Sequence, residues 1–324
     1  MNLLPQIKAP ISDELKEFRE SFNESLDSSN DLMSSVIDHI KQKNGKMMRP
    51  MLVLLIAKSL GQISKVTIHS AVALELLHTA SLIHDDVVDD SVLRRGQPSV
   101  NAIYGNKVSV LAGDFFLATS LMEVGKTYNY RIVELVANLG KKLSEGELLQ
   151  LENIDQLNLS EESYFEVINK KTAALFEACA EIAALSVNAS DEKVSEIRRL
   201  GNLIGVCFQI RDDIFDYYEN LQIGKPTGKD MEEGKLTLPI LYALDKTKNP
   251  YFREKALDVK KGNATAEDIN DLIHFAMDEG GIDYAHETID RFRGEAEQII
   301  LSHFSGDLQE ALLNYLDYVV NRKL

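Results

Sequence analysis

Residues 65–90 read KVTIHSAVALELLHTASLIHDDVVDD, an apolar stretch that ends in a tight group of carboxylates. Its apolar residues recur at helical spacing, and the same spacing continues along nearly the whole chain, with no convincing alternation of the kind that marks half-buried strands. No proline lies between Pro98 and Pro226, where long helices would tolerate one least. The expected fold class is all-α. Helices are expected over about 12–28, 30–43, 47–60, 65–90, 107–127, 130–154, 160–187 and 191–220, followed by shorter ones over about 237–247, 250–260, 265–278, 281–303 and 305–321. Such lengths suit a bundle around a deep central cavity, because sites in bundles are built from side chains on facing helices. No repeat or low-complexity linker appears, so residues 1–324 are read as one domain.

Bulk composition narrows the function. The 324 residues are 44% hydrophobic and carry 35 basic against 51 acidic side chains, a net charge of -16. That field repels nucleic acid and anionic membranes. Cys179 and Cys207 sit in apolar helical stretches without metal-ligand spacing, so neither a disulfide framework nor a zinc site is expected. The stretch Met1 to Pro10 has no leader-like pattern, and unbroken apolar runs such as Met51 to Ala57 are too short to span a bilayer, which points to a cytoplasmic protein.

The carboxylates carry the chemistry. In LIHDDVVDD, helical spacing stacks Asp85 above Asp89 on one face beside Asp86. QIRDDIFDY repeats the form with Asp212, Asp213 and Asp216. A single such group can be a solvated helix end, but a second copy is hard to explain that way. Carboxylate oxygens suit hard Mg²⁺, which takes one or two from protein and completes its shell with water and substrate phosphates. If the two helices faced each other, six carboxylates could hold a metal cluster with a diphosphate between them. Basic residues gather around these motifs: Lys46 and Arg49 in GKMMRP, Arg94 and Arg95 in SVLRRGQPS, Lys171, and Lys225, Lys229 and Lys235 in QIGKPTGKDMEEGKL. In an acidic chain such clustering reads as anion-holding. GKPTGK lacks P-loop spacing and no strand precedes it, so a nucleotide site is rejected.

Taken together, GKMMRP, ELLHTASLIHDDVVDDSVLRRGQPSV, GDFF (113–116), GELLQ (146–150), the Lys171-Thr172 pair, FQIRDDIFD and GKPTGKDMEEGKLTLPI resemble, in order and spacing, the trans-polyprenyl diphosphate synthase family. The resemblance implies the isoprenoid synthase fold, a homodimer, and three Mg²⁺ ions for which Mn²⁺ can substitute. It implies Asp85, Asp89, Asp212 and Asp216 as metal ligands, with Asp86 and Asp213 assisting. Arg94, Lys171, Thr172, Gln209, Lys225 and Lys235 match positions that contact the allylic diphosphate; Lys46, Arg49, His78 and Arg95 match those that hold isopentenyl diphosphate. The implied reaction ionises an allylic diphosphate, adds isopentenyl diphosphate to the cation and loses a proton. No side-chain nucleophile is required.

Product length is read from the helix that carries Asp85. A growing tail must run toward the N-terminus of that helix, past Ser81 and Ala80, both small, and then Leu77 and Leu76; Phe115 and Phe116 are candidate obstacles deeper in the tunnel. Residues 65–85 span roughly 30 Å, room for about six isoprene units of roughly 5 Å each. The expected product is C35 to C50, best C40, grown from farnesyl or geranylgeranyl diphosphate and destined for a quinone side chain or similar lipid. Transient membrane contact would then aid product release. A C20 geranylgeranyl synthase, a terpene cyclase and a non-catalytic partner subunit are the alternatives. A purely structural bundle leaves the paired motifs unexplained.

Overall fold

The computed structural model describes residues 3–42, 45–94, 96–218 and 227–321. Arg95 and Lys225, both expected to hold substrate, lie outside the described residues. The chain is helical almost throughout: α1 (Leu4–Lys8), α2 (Ser12–Ser25), α3 (Asp31–Lys41), α4 (Met48–Leu60), α5 (Lys65–Val88), α6 (Val100–Tyr104) and α7 (Asn106–Gly125) come first. Then follow α8 (Tyr130–Asp155), α9 (Glu161–Ile168), α10 (Ala174–Ser186) and α11 (Asp191–Phe215), and after them α12 (Lys229–Glu232), α13 (Leu238–Thr247), α14 (Pro250–Lys260), α15 (Ala266–Asp278), α16 (Gly281–His303) and α17 (Gly306–Asn321). The all-α expectation holds. The long helices fall close to the expected spans, and the helix expected to reach residue 220 stops at Phe215. One feature departs from it: Leu93–Arg94 and Gln97–Pro98 pair as a two-residue antiparallel hairpin, with Gly96 at φ 71° in its turn. Strands this short carry no periodic signal.

By contacts the chain forms two compact units. The first comprises Met1–Gly140, Leu175–Gly201 and Ile300–Tyr315. Its centre is α5, opened by a capping box between Ser64 and Thr67 and packed on α7. Three contacts set these two helices antiparallel. Near the end of α5, the His84 ring lies so close to Gly113 that a Cβ there would sit 2.1 Å from Nε2. Midway, Ser120 donates its hydroxyl to the Ala73 carbonyl at 2.7 Å. At the start of α5, His69 Nδ1 and Glu123 Oε2 are 2.8 Å apart, with Lys126 also on Glu123. Both α5 and α7 are long and apolar enough, by length and composition, to cross a membrane, which a count of unbroken apolar runs does not detect. In α5, 67% of the most apolar window is buried within the protein, as a helix hydrophobic on all sides requires. The same holds for α4, where Pro50 to Ala57 are buried without interruption.

The second unit comprises Lys141–Ala174, Asn202–Ile299 and Leu316–Leu324. Here α9 passes into α10 through one π-helical turn, Asn169–Ala173, that carries Lys171 and Thr172. Such turns recur at functional sites because an inserted residue re-aims its neighbours. Gly146 makes the turn possible: a Cβ there would lie 2.9 Å from the Lys171 amide nitrogen and 3.0 Å from Lys170 Cβ. Farther along, α13 packs on α15, and Gly281 lies under the Pro239 carbonyl, 2.2 Å from where its Cβ would be.

In the first unit Gly201 of α11 has no room for a side chain. A Cβ there would meet the Phe176 carbonyl at 2.4 Å and Ala180 Cβ at 2.7 Å, backbone and core atoms that cannot swing away. Gly201→Ala is expected to lower stability by about 1–3 kcal/mol, read as a lower urea midpoint at unchanged m-value.

Candidate active site

Each aspartate motif is built in the same way. In the first, Asp85 and Asp86 occupy the last turn of α5, and Asp89 closes it, its amide donating to the Asp85 carbonyl at 2.8 Å. Asp86 is 3% exposed and accepts from Arg94 Nε at 2.8 Å and from its Nη2 at 2.5 Å. The Asp86 carbonyl takes the Asn101 amide and the Ser91 N–H. Asp85 and Asp89 are half-buried. Arg94, expected on the substrate, is thus tied to a motif carboxylate, which orders the hairpin beside the motif.

In the second motif Asp212 and Asp213 lie in the last turn of α11, and Asp216 just beyond it. Asp213 is 3% exposed, and accepts from the Tyr164 hydroxyl at 2.6 Å and from Gln209 Nε2 at 2.7 Å. Gln209 in turn accepts from the Thr172 hydroxyl at 2.6 Å, so one hydrogen-bonded row links Tyr164, Asp213, Gln209 and Thr172. Burial holds the Asp213 carboxyl well above the usual range, Asp230's charge adds to that, and the Tyr164 and Gln209 donors oppose it. Burial beside this carboxylate also raises the Tyr164 phenol. Asp216, 6% exposed, accepts the backbone N–H groups of Lys229 and Asp230 at 3.1 and 2.9 Å. It therefore anchors the start of α12. Asp212 stays half-buried.

The flanking cations have defined places. Lys171 Nζ is 2.5 Å from Glu147 Oε2 and 3.3 Å from Gln150 Oε1, both in the GELLQ stretch. Lys235 pairs with Glu233 at 2.6 Å, which Lys229 also approaches at 3.3 Å. Lys171, Thr172, Gln209, Asp213 and Lys235 line one cavity of about 180 Å³ in the second unit. In the first unit His78, Asp86 and Arg94 line another of about 100 Å³. Arg49 is half-buried, its guanidinium 5.4 Å from the centre of the Phe176 ring; Lys46 is exposed. On the expected tail path Ala80 and Leu77 are buried, and Ser81 is half-buried with its hydroxyl on the His78 carbonyl. Phe116 is fully buried, and Phe115 packs edge-on against it at 6.0 Å. Burial pushes both cysteine thiols up to about 12, which keeps them protonated.

The motifs fit Mg²⁺ on one observation: the middle aspartate of each is buried and engaged, while the first stays half-buried. Among the described residues no three metal-binding side chains converge into a cage. One or two protein carboxylates per ion, completed by phosphate oxygens, is how Mg²⁺ is commonly bound. Two residues of the site carried no motif signal, Tyr164 and Lys260, and Asp230 lay inside a quoted motif without being singled out. Tyr164 falls seven residues before Lys171, which places it near the start of the helix that enters the π turn, but no spacing rule singles it out.

Comparison with known proteins places these features. A family model described as polyprenyl synthetase matches residues 30–275. Octaprenyl diphosphate synthase of Haemophilus influenzae is 33% identical over 300 residues, 92% of this chain and 89% of that one. The crystal structure of geranylgeranyl pyrophosphate synthase from Bacteroides thetaiotaomicron superposes with a TM-score of 0.88 at 51% identity, over 99% of this chain and 100% of that one. A polyprenyl synthase from Caulobacter crescentus, complexed with calcium and isoprenyl diphosphate, gives 0.92 at 30% identity over 99% and 98%.

The hydrogen-bonded row gives a direct test. Tyr164→Phe removes one donor from a buried carboxylate and is expected to cost about 1–3 kcal/mol of stability. The comparison of wild-type and variant denaturant midpoints measures it; equal midpoints would show that Asp213 finds another donor.

Proposed function

The chain belongs to the polyprenyl synthetase family, and we propose that within it this enzyme makes a long all-trans product, C35 to C50 with C40 as the best single value. It is a trans-prenyltransferase that elongates allylic diphosphates with isopentenyl units. The observation that carries the long-chain reading is the pair of small residues, Ser81 and Ala80, that precede Asp85 on α5, with Leu77 and Leu76 behind them. Octaprenyl relatives add support. A second reading, a C20 product, rests on the 51% identity to the Bacteroides thetaiotaomicron geranylgeranyl pyrophosphate synthase. The family match runs through residues of both units, which supports treating residues 1–324 as one synthase.

The residues act by holding charge and position. Asp85 and Asp89 in one motif, and Asp212 in the other, are the carboxylates we assign to Mg²⁺, with Asp216 giving both oxygens to backbone amides as well. When bound, Mg²⁺ neutralises the departing diphosphate as the allylic C–O bond breaks. Lys171 and Lys235 add positive charge for the same phosphates, and the Thr172 and Gln209 side chains are fixed by Asp213. Lys46, Arg49 and His78 are assigned to isopentenyl diphosphate. Fixing two anionic substrates in reacting geometry removes much of the entropic barrier, and burial strengthens each charge interaction at the site. Loss of a proton from the adduct then regenerates an allylic diphosphate one unit longer. We further propose a homodimer, supported by Val110, Leu111, Leu121 and Met122, which recur on α7 at 43–68% exposure.

The deciding experiment supplies purified enzyme with Mg²⁺, farnesyl diphosphate and labelled isopentenyl diphosphate, and sizes the dephosphorylated products. A ladder ending between C35 and C50 is expected; a stop at C20 would establish the second reading. Asp85→Ala is expected to lower kcat by about 10³-fold or more. Ser81→Phe, at the more open of the two small positions, is expected to shorten the product; an unchanged ladder would sink the assignment of the tail path.

A further inference from the structure

Lys260, the last residue of α14, is a buried cation that no motif explains. It is 8% exposed. Of its three N–H donors, one goes to the Asn153 carbonyl in the last turn of α8, at 3.1 Å. Among the described residues no carboxylate forms an ion pair with it, and burial alone holds its pKa down to about 8. An ammonium group taken out of water without a counter-charge is costly unless something compensates it.

Its neighbours indicate what does. Lys171 reaches Gln150, which lies three residues before Asn153 on α8 and so on the same helix face. Lys235 follows Gly234, whose Cβ position is 3.5 Å from Ile154 Cγ2 and 3.6 Å from the Val259 carbonyl. Lys171, Lys235 and Lys260 therefore gather about the last turn of α8, and all three line the 180 Å³ cavity. The acids near this cluster are Glu147 on α8, Asp213 on α11, and Asp230 and Glu233 before Lys235. Glu147 is held by Lys171 and Glu233 by Lys235, and Asp213 by neutral donors.

We propose that Lys260 is an anion-binding residue of this cavity, where it takes an oxygen of a diphosphate ion whose other oxygens meet Lys171 and Lys235. The inference rests on the functional reading above only in assigning Lys171 and Lys235 to the allylic diphosphate. The ion has two sources, the substrate ester and the inorganic pyrophosphate that leaves it. The competing role is structural, a cation that caps the carbonyl end of α8.

Calorimetric titration of the full chain with inorganic pyrophosphate, in metal-free buffer, separates these roles. Lys260→Met is expected to bind pyrophosphate roughly tenfold more weakly or worse, with a thermal midpoint equal to or above that of the wild type because a buried charge is gone. Unchanged affinity with a lowered midpoint would overturn the proposal in favour of capping. In the wild type, affinity is expected to fall as pH rises through about 8, where the free protein's Lys260 loses its proton. Lys260→Met should lose that component and keep only the titration of the ligand. If the variant does not fold, trace acetylation of the wild type with and without pyrophosphate decides: protection of Lys260 supports the site, and equal labelling refutes it. A raised KM for farnesyl diphosphate in the variant would assign the contact to the substrate ester. Weaker product inhibition at unchanged KM would assign it to the departing ion. Absence of chain elongation by the wild type would defeat the enzymatic reading, while the pyrophosphate titration would still decide the role of Lys260.

Discussion

A carboxylate removed from water must be compensated, and the two aspartate motifs are organised around that requirement. Asp86 meets it with charge, through two N–H groups of Arg94. Asp213 meets it with neutral donors, Tyr164 and Gln209. Burial, with the charge of Asp230 added, holds the Asp213 carboxyl well above the ordinary carboxylate range, against the pull of its two donors. Both devices secure the middle residue, while the first aspartate of each motif stays half-buried. In a chain of net charge -16, such anchoring also keeps adjacent like charges from unwinding the turn that presents them.

The same economy extends to the cations. Each lysine that lines the 180 Å³ cavity except Lys260 carries a carboxylate partner among the described residues, Glu147 for Lys171 and Glu233 for Lys235. These partners hold the side chains in ordered positions. Lys171 depends further on backbone irregularity. The π turn that carries it fits against α8 only because Gly146 has no side chain, so a glycine of α8 and a lysine of the next helix form one functional element.

The scaffold explains why the helices had to be long and apolar. The register of α5 against α7 is fixed by a glycine contact, a hydroxyl on a carbonyl, and a buried Glu123 held by His69 and Lys126. Specific contacts at the two ends and the middle define one alignment, while the apolar surface between them supplies most of the driving force. Small residues at Ala80 and Ser81 are consistent with the same packing.

Helix positions, the two DDxxD groups and most of the basic residues were legible in the chain because they are local. A helix has a period, a motif has a spacing, and a proline-free stretch has a length. The hairpin at 93–98 and the four-residue α12 escaped, since elements only about one period long leave no repeating trace. Tyr164 and Lys260 escaped for another reason. Tyr164 meets a carboxylate 49 positions away in the chain, and Lys260 a carbonyl 107 positions away, so nothing near either residue announces its partner. The sequence by itself determined the fold class, the paired carboxylates and the family. Only the tertiary structure decided which aspartate of each pair is buried, and which lysine lies buried without a counter-charge among the described residues, because burial and hydrogen bonding are set by neighbours that the chain brings together only on folding.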